Sequence, residues 1–137
     1  MKKKKESKII YKNYISIFLV VLLIILIFTF IDFLIHLLSE EYSVPSYYFR
    51  NKIIYGSIIG LLIYFFVKNE GLLIKSLIFS VVVSVLLQVR YFLEGYPLKF
   101  VMEFLVIHFL ILFPVSLIIF KFFEKLITKY RLCLRTE

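Results

Sequence analysis

Five side chains carry chemistry that the rest of this apolar chain does not call for: Asp32, His36, Gln88, Glu103 and His108. Each lies in or beside a long apolar run. A charge at the centre of a bilayer costs at least about 2.5–3.5 kcal/mol on insertion scales, so residues that bear this cost usually face a partner or a cavity. Asp32 and His36 are four positions apart, which puts them on one helix face within hydrogen-bond reach and makes them a coupled pair. With Thr29 and Ser39 they form a polar stripe within an arc of roughly 80°. Two chemistries follow. Asp32 can be a charged anchor for a solute, headgroup or partner helix, with His36 setting its protonation. Alternatively, Asp32 and His36 with His108 offer a metal-type ligand set from two helices. Glu103 and His108 are five positions apart, diverge by about 140°, and make no two-ligand face between them.

The signs of an enzyme stop there. There is no H-E-x-x-H motif, no Ser or Cys beside a base in sequence, and no Gly-rich loop. His36 and His108 are expected about 4 Å and about 13 Å from the same membrane face, depths that suit one haem poorly. No cofactor is expected. The reading carried forward is a non-catalytic transport or binding protein with a polar pocket, and the alternative is a membrane-embedded metal enzyme using Asp32, His36 and His108.

The elements that must hold these residues follow from composition. The chain has 137 residues, 62% hydrophobic and 19% charged, with a net charge of +8. Soluble domains average roughly 45–50% apolar. Too little polar material remains to cover a water-facing surface, which excludes a soluble globular protein and a disordered one and speaks against nucleic-acid binding. A helical crossing needs about 20 apolar residues, so the length admits one domain of four crossings. The fold class is an all-α membrane protein, a bundle of four transmembrane helices. Helices are expected at about 14–38, 51–67, 72–91 and 98–123, making a transmembrane domain over 14–124. Residues 1–13 and 125–137 are basic tails. Pro45 closes the first connection, and Gly95-Tyr96-Pro97 makes a tight turn before the last helix. Pro114 interrupts a backbone hydrogen bond in the fourth helix.

Small residues mark how the helices pack. Ser76, Ser80, Ser84 and Gln88 recur every four residues on the third helix. The serines read as a seam of close approach, and Gln88 is bulky enough to be a ligand group. Gly56 and Gly60 form a G-x-x-x-G on the second helix, with Lys52 and Tyr64 extending the same face. That face serves either the bundle or a homodimer. Lys52, Arg90 and Glu94 are placed to snorkel to the interface. Of the 17 Lys and Arg residues, 13 fall on the side of the termini and four on the other. By the positive-inside rule, both termini are cytoplasmic in a multi-pass cell-membrane protein. The basic termini are expected to attract anionic lipid headgroups. Besides the bilayer, the expected partners are a second copy or another membrane protein, with no nucleic acid. Cys133 is the only cysteine, a free thiol on the reducing side.

Overall fold

A computed structural model describes the backbone of residues 2–135 and the side chains of residues 14–128. The side chains of the lysine run at Lys2–Lys12 and of Cys133 lie outside the described residues. The elements are α1 (Lys2–His36), a 3-10 turn η1 (Glu40–Tyr42), α2 (Tyr47–Val67), α3 (Leu72–Leu93) and α4 (Leu98–Arg135). Four segments are long and apolar enough to cross a membrane: Tyr14–His36, Tyr47–Val67, Leu72–Leu93 and Leu98–Thr128.

Two boundaries differ from the sequence reading in ways that matter for the site. Helix α1 stops at His36 instead of Leu38, and η1 fills the space above it, capped by the Ser39 hydroxyl accepting from the Glu41 amide at 3.2 Å. Helix α2 starts at Tyr47, four residues before Asn51. The Tyr48 amide donates to the Pro45 carbonyl at 3.0 Å, so the chain enters its first helical turn directly after the proline. Proline suits that position because its missing N–H is not needed there.

The other turns are as short as the sequence implied. Gly71 opens α3, and its carbonyl accepts from the Lys75 amide at 2.8 Å. At the far end of α3 the amides of Gly95 and Tyr96 donate back to the carbonyls of Phe92 and Tyr91, at 3.1 Å each. This is a Schellman cap. It needs a left-handed residue, which is Gly95 at φ 83°.

The helices form a closed ring in which each packs on its neighbours in sequence and α4 returns to α1. The pairs Lys75–Glu124, Ser80–Ser116 and Gln88–His108 set α3 and α4 antiparallel. Two buried clusters fill the ring. One, dominated by aliphatic residues and Phe, includes Val21, Ile25, Phe28, Phe79, Val83, Leu112 and Phe120. The other is an aromatic cap of Tyr48, Tyr91, Phe100, Val101 and Phe104 under the connections α1–α2 and α3–α4. The polarity is inverted relative to a soluble bundle. Asp32, Lys52, Ser76, Ser80, Ser84, Gln88, His108 and Ser116 are all buried, while large hydrophobic residues such as Phe30, Leu62, Phe66, Leu73 and Leu110 point outward.

Candidate functional site: a buried charge network beside an open cleft

Between the two clusters lies a network drawn from all four helices. Asp32 of α1 is fully buried, and Lys52 of α2 is 4% exposed. The Lys52 ammonium donates to Asp32 Oδ2. The other carboxylate oxygen, Oδ1, lies 2.9 Å from Nε2 of His108 on α4. A carboxylate only accepts, so His108 carries its proton on Nε2. In the neutral ring Nδ1 then accepts, and the Gln88 amide of α3 donates to it at 2.7 Å. The 3.3 Å approach of Lys52 Nζ to His108 Nε2 brings two donors together and is not a hydrogen bond. With His108 neutral, the carboxylate and the ammonium cancel, and the network carries no net charge.

His36 stands one turn above. Its Nδ1 donates to the Tyr42 carbonyl, and its ring stacks on Phe104 at 4.4 Å between centroids. Its Nε2 lies 3.6 Å from Asp32 Oδ2 and has no hydrogen-bond partner. The early end of α1 makes this possible, because η1 carries the Tyr42 carbonyl back over the helix terminus. Tyr42 also meets Phe104 edge-on at 5.3 Å, which seals the network from that end. Below it, Phe28 packs edge-on to His108 at 5.0 Å.

The network is reached from the side. A cleft of about 440 Å³ runs between α2 and α3 and is lined by Asn51, Lys52, Tyr55, Arg90, Tyr91 and Glu94 at its polar end. That volume is within the range of small-molecule pockets, roughly 300–1,000 Å³. Ile59, Leu86 and Leu87 line the deeper part. Lys52 therefore belongs to both the network and the cleft. The Tyr91 hydroxyl is buried without a hydrogen-bond partner, as is the Gln88 carbonyl oxygen. Arg90 donates through Nε to Glu94 at 2.8 Å, and its guanidinium lies 5.1–6.0 Å from the ring centres of Tyr47, Tyr48 and Tyr55.

Of the five residues singled out in the sequence, the structure brings Asp32, His36, Gln88 and His108 together and leaves Glu103 out. Glu103 is partly exposed and lies 3.7 Å from Lys99, four residues away on α4. The snorkelling expected of Lys52 is corrected, because its amine turns inward to Asp32. The depth separation expected of His36 and His108 is also corrected: both rings lie within 3.6 Å of the Asp32 carboxylate. Depth along each helix's own axis is a poor guide here, because α1 stops well below the start of α4, with η1 making up the difference. Among the described residues no group of three His, Cys, Asp or Glu side chains is arranged to hold a metal. A metal at Asp32 would have to displace the Lys52 ammonium, so the metal alternative does not fit this donor set.

The packing residues have their own geometry. The Ser80 and Ser116 hydroxyls meet at 3.1 Å across the α3–α4 seam, where Ser76, Ser80 and Ser84 are all fully buried. Ser116 carried no periodic signal and was missed. Gly56 and Gly60 are spent inside the chain. A Cβ on Gly56 would stand 3.2 Å from Ile25 Cγ2, and one on Gly60 would stand 2.9 Å from Val21 Cγ1. Of the two uses expected for that face, the bundle takes both glycines. Lys75, one of the 13 cations on the side of the termini, is buried and donates to Glu124 of α4 at 2.6 Å. Glu124 was also missed, since it is the last residue before the tail and gives no period by which to assign it a face. Fold and network together define a closed four-helix bundle with an interior ion pair. The chain matches no protein-family model, no curated protein and no solved structure.

Proposed function

We propose that this chain is a non-catalytic multi-pass membrane protein, with both termini cytoplasmic, that binds a polar ligand group in the outer half of the bundle. The ligand enters through the α2–α3 cleft and engages the Asp32–Lys52–His108 network at Lys52. Membrane insertion is supported by the inverted polarity. Only 33–44% of each candidate span is buried inside the bundle, and the rest would expose an apolar surface far larger than a soluble monomer tolerates. Orientation rests on the 13-to-4 split of basic residues. It puts the network, the cleft and the aromatic cap in the outer half.

The observation that carries the binding reading is Lys52, a buried charge that lines an open cleft. A network built only for packing gains nothing from an approach to its cation. Binding rather than covalent chemistry is favoured because Asp32 and His108 are engaged with each other and with Lys52 and Gln88, and the one unpartnered ring nitrogen, His36 Nε2, has no hydroxyl or thiol hydrogen-bonded to it.

The test is native mass spectrometry of gently extracted protein. Wild type is expected to retain a bound small molecule, and Asp32→Leu/Lys52→Met to lose it while still folding, since an apolar replacement of both partners leaves no orphaned charge. Equal retention by the double variant, or no retained molecule in wild type, would overturn the reading.

A further inference from the structure

We infer that the ligand of the α2–α3 cleft is an acidic amphiphile, a phosphate-bearing headgroup with at least one hydrocarbon chain. The inference rests on the proposed binding function and names its ligand class. The cleft is graded along its length. Helix α2 runs inward from Asn51 and Lys52 to Ile59, seven residues or about 10 Å beyond Lys52. Helix α3 runs the other way, from Leu86 and Leu87 up to Arg90 and Glu94. Both walls are therefore polar at the end carrying the connections and apolar toward the bundle centre. A molecule with a polar head and a greasy tail fits that gradient in one orientation only, and a small hydrophilic solute leaves the apolar half unfilled.

The placement of charge at the polar end, whose sum is zero, favours an anion. Lys52 and Arg90 line the cleft with the single carboxylate of Glu94, while Asp32, which balances Lys52, lies behind it, fully buried. Glu94 accepts the hydrogen bond from Arg90 Nε, and the two terminal amino groups of Arg90 have no hydrogen-bond partner among the described residues. Those amino groups form the planar fork suited to phosphate. The rings of Tyr47, Tyr48 and Tyr55 fix the guanidinium in place. The Tyr91 hydroxyl is 1% exposed at the residue level and unpartnered, on a residue that lines the same cleft. A buried hydroxyl without a partner is unfavourable, and a ligand oxygen removes that cost.

The experiment uses the full chain in detergent with four probes: phosphatidylglycerol, phosphatidylcholine, glycerol phosphate and inorganic phosphate. Retention is read by native mass spectrometry. Phosphatidylglycerol is expected to be retained over phosphatidylcholine. Arg90→Gln should weaken that retention about tenfold, the size of one charge-assisted hydrogen bond. Glu94→Gln should strengthen it severalfold by removing the opposing charge. Tyr91→Phe removes only a hydroxyl without a protein partner and should weaken retention without lowering the melting temperature of the ligand-free protein. Leu86→Trp fills the apolar end without touching the network and should exclude the lipid.

Equal retention of the two lipids overturns the acidic headgroup. Retention of glycerol phosphate or inorganic phosphate as strong as that of phosphatidylglycerol overturns the chain. A different bound species, lost in Asp32→Leu/Lys52→Met but indifferent to Arg90→Gln and Leu86→Trp, overturns this inference and leaves the proposed function standing.

Discussion

Removing one partner of the Asp32–Lys52 pair is expected to be far more damaging than removing both. In Asp32→Leu the Lys52 ammonium, 4% exposed in the native bundle, loses its carboxylate partner, and the polar atom left beside it, His108 Nε2 at 3.3 Å, is neutral and accepts only if the His108 tautomer and the Gln88 amide both reverse. That is an uncompensated buried charge, worth about 3–5 kcal/mol. Lys52→Met leaves the carboxylate with the His108 hydrogen bond at 2.9 Å, so the loss should sit near the lower end of that range, about 3 kcal/mol. The double variant removes both charges. What then remains unsatisfied is the His108 Nε2 proton, a cost of about 1–3 kcal/mol. The coupling between the two substitutions should therefore reach at least about 3 kcal/mol, more than a hundredfold in the unfolding equilibrium. Reversible unfolding in mixed micelles, followed by far-ultraviolet circular dichroism on wild type, both single variants and the double, measures it directly. Losses that add to within about 0.5 kcal/mol would mean that the two side chains do not meet, and the assignment of the network would fail with them.

Other consequences are as specific. Gly60→Ala should destabilise by about 1–3 kcal/mol and more than Gly56→Ala, because its Cβ meets Val21 Cγ1 at 2.9 Å and Phe79 Cζ at 3.0 Å. Both neighbours are fully buried with no room to move, and thermal melting ranks the two variants. Ser80→Ala should cost about 0.6 kcal/mol by losing the hydroxyl pair with Ser116 across the seam. Ser84→Ala should be neutral or slightly stabilising in the same assay, since that buried hydroxyl has no partner. In a Cys133→Ser background, a membrane-impermeant thiol reagent should label Glu41→Cys in intact cells and spare Lys68→Cys, both exposed positions on turns at opposite ends of the bundle. The reverse labelling pattern would invert the proposed orientation.

Most of the architecture could be read from hydropathy, because a bilayer-length apolar run admits little except a helix and short connections force neighbours to be antiparallel. The helix ends could not, since they depend on local hydrogen bonds. Whether α2 starts at Tyr47 or Asn51 turns on how Pro45 and Ser46 place their carbonyls, and whether α1 passes His36 turns on what η1 offers its terminus. Those shifts of a few residues brought His36 and His108 to the same carboxylate. Glu124 and Ser116 were hidden for a related reason: a single polar residue in a long helix gives no period by which to assign it a face.

Lys52 is the instructive miss, because its burial was implied by a pattern already in view. Tyr48, Lys52, Gly56, Gly60 and Tyr64 recur every four residues, and all five are buried. A glycine pair marks a face only if a neighbouring backbone or side chain approaches it, as Ile25 and Val21 do here. If Gly56 and Gly60 face the bundle, then Lys52, one turn away on the same stripe, faces it too. The habit of assigning a lysine near a helix end to the interface weighs distance along the axis and ignores azimuth. Azimuth decides here, because a long flexible amine can reach up or across and the carboxylate of Asp32 lies across. A buried lysine on a packing stripe then demands an acid on a facing helix. Asp32, the lone acid within the first apolar run, was the one available partner there, so the central contact of the network was derivable from two stripes and one charge balance.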